Sequence, residues 1–182
     1  MNHVLFARLI ILASTIVLAT NINSLANPGQ SLITAKPAYQ VALSEAKKFS
    51  PDCYLVNLNT SGVQKDGRSK TWYIFFYSPS RNTNLKVNVV EGKVEKTDDK
   101  NKNIIVEIAG DWIDSDQAAN IALPQCGQIY EEDYFIDLDV DKDGKTPVWD
   151  FKCSVGKNKS LTIVINAQTG EYIKTRKSGI GW

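Results

Sequence analysis

The sequence has a single histidine, His3, within the first few residues. Everything after it lacks imidazole, which excludes Ser-His and Cys-His nucleophile activation and histidine-based zinc sites. A Gly-rich phosphate loop is also missing, and no two acids face an apolar pocket in a pattern suited to carboxylate chemistry. No catalytic residue is assigned, no cofactor is expected, and the chain is read as not being an enzyme. Net charge is scarce as well, with 21 basic side chains against 20 acidic ones. The basic concentrations are short: Lys100 with Lys102, and Lys174 with Arg176 and Lys177. Phosphate binding needs a concentrated basic face, so nucleic acid is not an expected partner. A basic amphipathic helix of the kind that docks on membranes is missing too.

Long hydrophobic runs are confined to the start. "MNHVLFARLIILASTIVLATNINSLAN" places Arg8 before an uncharged apolar stretch from Leu9 to Ala19. That stretch falls short of the roughly 20 residues of a membrane span. Ser24-Leu25-Ala26 puts small residues at the −3 and −1 positions of a signal-peptidase site. Residues 1–26 are therefore expected to be a signal peptide, leaving a periplasmic or secreted protein with no membrane attachment after cleavage.

What remains is organised as a duplication. "FSPDCYLV", "KDGRSKTWYIFF" and "LKVNVVEGKVEKT" are followed later by "ALPQCGQI", "KDGKTPVWDFKC" and "LTIVINAQTGEYIKT". The order Pro-x-Cys, Lys-Asp-Gly, Trp, alternating strand, Gly, Lys-Thr occurs twice, and the spacings differ only where turns belong. Each copy opens with a helix. Asp114 and Gln117 form a capping-box pair ahead of Ala118, Ala119, Ile121, Ala122 and Leu123, with Pro124 as the stop. Thr34 caps an earlier segment through Ala38, Val41, Ala42, Ala46 and Phe49. Strands follow with period two: Trp149, Phe151 and Cys153 share one face, and Asp150, Lys152 and Ser154 the other. The expected fold class is α+β, two αβββ repeats, each a helix packed on a small antiparallel sheet. The boundaries are 27–97 for the first repeat and 114–182 for the second. A linker at 98–113 would add a coupling strand at "IIVEI".

The helix start "DSDQAANIAL", the strand "VWDFKC" and the closing "LTIVINAQTGEYIKT" together resemble the PepSY domain, found in peptidase propeptides and YpeB-type proteins. Ile165-Asn166-Ala167-Gln168-Thr169-Gly170-Glu171 stands where that family has a V-D-A-x-T-G-E-like turn, with Asn166 in place of the frequent Asp. The second copy matches well. The first matches loosely, because "VNVVEGKVEKT" lacks the Ala-x-Thr turn. The resemblance implies a tandem, noncatalytic exported module that binds a protein, a peptidase among the candidates, as inhibitor or regulator. It carries no catalytic residues to transfer.

Three local features bear on function. Asp139, Asp141 and Asp143 precede Gly144, and Asp150 falls at the twelfth position of a calcium-loop spacing. Pro147 at the ninth position offers no side-chain ligand, and the first copy keeps only Lys-Asp-Gly, the residues of a tight hairpin turn. The balance favours an acidic hairpin, so no metal ligand is assigned. A calcium-binding module is the runner-up, and a structural envelope component a third reading. Of the three cysteines, Cys126 and Cys153 are paired here because only the second copy has both; Cys53–Cys126 competes. Finally, "WYIFFY" places Tyr73, Phe75 and Tyr77 opposite the core-facing Trp72, Ile74 and Phe76. Either the repeats pack over those three aromatics or they form the partner-binding surface.

Overall fold

A computed structural model describes residues 31–100, 105–127 and 134–179. The signal-peptide expectation, at 1–26, lies outside the described residues. The elements run α1 (Ala35–Phe49), β1 (Tyr54–Val63), β2 (Thr71–Ser78), β3 (Thr83–Val90), β4 (Lys93–Lys100), α2 (Ser115–Cys126), β5 (Tyr134–Val140), β6 (Pro147–Gly156), β7 (Lys159–Asn166) and β8 (Tyr172–Gly179).

Two separate αβββ units do not form. All eight strands join one antiparallel sheet in the order β4-β3-β2-β1-β5-β6-β7-β8, so the described chain is mostly β with two helices. The junction is β1 against β5, with Leu58 opposite Leu138 and Asn59 opposite Asp137. The physical reason lies in β1 itself. Leu55, Val56, Leu58 and Val63 are all nearly fully buried, so as an edge strand it would expose apolar side chains and a row of unpaired amides. Pairing with β5 removes that edge. The outermost strands, β4 and β8, are instead rich in Lys, Arg, Asp and Glu, which discourages further pairing. The segment expected to couple the halves contributes no strand at 105–109; Ile108 N–H donates to the Leu55 carbonyl instead (2.9 Å).

Both helices lie on one face of the sheet. Ile74, Leu58, Leu138 and Trp149 are successive cross-strand partners, so the core sides of both halves coincide. Ala35, Ala38, Ala42 and Ala46 of α1, and Ala118, Ala119 and Ala122 of α2, are fully buried in the shared core. Methyl-sized side chains let the helices approach closely, and Trp72, Phe76, Trp149 and Phe151 fill the remaining volume. Each strand tryptophan also anchors the entry to its own helix. Trp72 Nε1–H donates to the Ile33 carbonyl and Trp149 Nε1–H to the Ile113 carbonyl, both at 2.9 Å.

The helix starts meet at a single node. Asp114 and Gln117 form the capping box of α2. Thr34, however, makes no side-chain cap on α1; that role falls to the second helix. Lys36 N–H donates to Asp114 Oδ1 and Ala35 N–H to Ser115 Oγ, each at 2.9 Å. Ser115 Oγ in turn donates to the Gly67 carbonyl (2.7 Å). One carboxylate thus serves two helix N-termini, where both macrodipoles favour negative charge. Pro124 lies inside α2 rather than ending it, and the helix closes two residues later with Gly127 at positive φ.

The PepSY-like turn has a structural role. Asn166 Oδ1 accepts from Gln168 N–H (2.9 Å) and Thr169 N–H (3.1 Å). Buried Ala167 accepts from Ile113 N–H (2.7 Å), tying the turn to the approach of α2. Cys126 and Cys153 are disulfide-bonded, joining the end of α2 to β6, and Cys53 is a buried free thiol. Replacing both half-cystines by alanine is expected to cost about 3 kcal/mol in the loop-entropy account. Thermal unfolding with and without reductant checks this; the reduced protein should melt lower by roughly 6–12 °C.

Candidate functional site on the open sheet face

Among the described residues, neither helix lies on the second face of the sheet. Alternation in β2 places Tyr73, Phe75 and Tyr77 there, all partly exposed. The halves meet edge to edge, so the second half does not pack over these aromatics. Their immediate neighbours are polar. Cross-strand partners are Asn88, Lys86 and Asn84 on β3, and Asn59, Asn57 and Tyr54 on β1. Lys86 Nζ sits 4.3 Å from the Tyr73 ring centroid and 5.8 Å from that of Phe75. Tyr77 packs on Tyr54 with ring centroids 5.6 Å apart, and its hydroxyl donates to Asn82 Oδ1 (2.8 Å). The stripe is therefore a row of fixed aromatic edges flanked by amides and one cation.

Across the β1–β5 junction the face turns acidic. Asp137 is directly opposite both Asn59 and Asp150. Asn57 Nδ2 donates to Asp137 Oδ1 (2.7 Å). Burial nevertheless pushes the Asp137 carboxyl up to about 7, aided by repulsion from Asp139 and Asp150 and opposed by the Asn57 amide. Burial also raises Asp139 and Asp150, the latter against the pull of Arg176. Asp150 Oδ2 is held by Arg176 Nη2, while its Oδ1 is buried without a partner. Lys174 Nζ binds Asp141 Oδ2 (3.1 Å). These two pairs bridge over β7, and Val164 between them is fully buried although no described helix covers it. A cavity of about 330 Å³, lined by Phe135, Asp137, Asp150, Lys152, Thr162 and Arg176, opens beside the pairs.

The aspartates of the calcium-loop spacing do not converge. Asp143 folds back on its own turn, accepting from Lys145 N–H (2.8 Å), Thr146 N–H (2.9 Å) and Thr146 Oγ1 (2.6 Å), which lowers its carboxyl to about 2. Asp139 Oδ1 accepts from Val140 N–H (2.7 Å), Asp141 pairs with Lys174 and Asp150 with Arg176. Gly144 takes φ +69° and its N–H donates to the Asp141 carbonyl (2.8 Å), the geometry of a tight hairpin. Among the described residues, no group of three His, Cys, Asp or Glu side chains is placed to hold a metal ion. Millimolar calcium is expected to leave the unfolding midpoint where chelator puts it. An ion held at 100 times its dissociation constant would add about 2.7 kcal/mol and move it visibly.

Asp137, Asn57 and Phe135 were not singled out from sequence. The alternation in "YFIDLDV" already puts Phe135, Asp137 and Asp139 on one face, but which face stays open depends on where both helices pack.

No protein-family model matches the chain, and no curated protein matches it. Among solved structures it is similar to that of "a putative lipoprotein" from Clostridium difficile 630. The two share 16% identity with a TM-score of 0.57, over 77% of this chain and 92% of that one. The likeness is one of fold. The C-terminal domain of Bacillus megaterium YpeB also aligns, at 17% identity and a TM-score of 0.31, over 80% of this chain and 66% of that one. Among the described residues, no helix is long and apolar enough to cross a membrane.

Proposed function

We propose that the chain is an extracytoplasmic, noncatalytic PepSY-like module that binds a protein partner through the open sheet face. The observation that carries this reading is the row of Tyr73, Phe75 and Tyr77, which the fold orients but does not cover with any described element. Aromatic side chains held by neighbours lose little further freedom on binding and dominate interface energetics. The apparent signal peptide and the Cys126–Cys153 bridge suit an oxidising compartment outside the cytoplasm. The PepSY-like motifs point to an exported peptidase as the class of partner.

The test is inhibition. A thermolysin-like metallopeptidase titrated with the purified protein should slow on a peptide substrate. The double substitution Tyr73→Ser, Phe75→Ser should weaken that effect at least tenfold, about 1.4 kcal/mol or more. An unchanged hydrolysis rate at all ratios would refute peptidase inhibition. Equal inhibition by the double variant would refute the face.

A further inference from the structure

We draw no further inference here: the strongest candidate, the cavity on the open face where Asp137 and Asp150 meet Lys152 and Arg176, belongs to the site already described, and with acids and bases both lining it nothing in the structure shows what fills it.

Discussion

Replacing Gly67 by alanine is expected to destabilise the protein by about 3 kcal/mol or more, whereas Gly144→Ala costs about 1 kcal/mol. The two glycines close the same Lys-Asp-Gly sequence in the two halves and adopt nearly the same backbone, with φ +75° and +69°. The conformational penalty for a side chain is therefore common to both. Their surroundings are not. A Cβ at Gly144 would meet nothing within 4 Å, while one at Gly67 would lie 2.3 Å from the Ser115 carbonyl oxygen and 2.5 Å from Asp116 Cα. These are backbone atoms at the start of α2 and cannot rotate away. Moving them would break the Ser115 Oγ bond to the Gly67 carbonyl and disturb the caps that Asp114 and Ser115 supply to α1. Denaturant unfolding of both variants isolates the close approach as their difference. Equal losses would mean that the helix node does not depend on Gly67.

The second large effect is in the pH dependence. Asp137→Asn is expected to stabilise the protein above pH 7 and to leave it little changed near pH 4. The Asp137 carboxyl is raised in the folded protein to about 7 from an ordinary value near 3.8. Between those values the folded state keeps a proton that the unfolded chain has released. Stability contributed by this group therefore falls as pH rises from about 4 to about 7, and is flat above that. At about 1.4 kcal/mol per tenfold change in acidity constant, the full loss is about 4 kcal/mol. Asparagine carries no charge to desolvate, and its carbonyl oxygen accepts from Asn57 Nδ2 as the carboxylate does. Asp143 works in the opposite sense, lowered to about 2 by its turn, so its contribution is present above pH 4 and lost on acidification. The difference between parent and variant cancels that background. Urea unfolding from pH 4 to pH 8 should show the two curves diverging across pH 5–7, and parallel curves would contradict the burial of Asp137.

Local order was largely legible in the sequence. The capping box at Asp114, the Asp-Gly turn at Gly144 and the core-facing Trp72 and Trp149 are each written in a few adjacent residues or in a period of two, whereas the Cys126–Cys153 pair was favoured only by comparing the two copies, with Cys53–Cys126 in competition. Global order was not. "YLVNLNTSGV" and "YFIDLDV" read as flanks of a cysteine and of an acidic loop, yet they are the two central strands. Their pairing is a contact across about half the chain, which no local period reports. The same gap hid part of the site. The alternation in β2 already put Tyr73, Phe75 and Tyr77 on one face, but Asp137 joins that face only because β1 and β5 put the halves side by side, and Asp150 acquires Arg176 from a strand two positions away in the sheet. The pairing of Asp114 with the other helix was equally invisible, since its own capping box already accounts for it.

Binding through Tyr73, Phe75 and Tyr77 requires that the face bearing them be open in the free protein. Hydroxyl-radical footprinting of the intact chain tests it without any partner. The account predicts oxidation at Tyr73, Phe75 and Tyr77, and protection of Trp72, Phe76 and Trp149, which are fully buried. Protection of Tyr73 and Phe75 equal to that of Trp72 would mean that another part of the chain covers this face, and the proposed binding surface would be wrong.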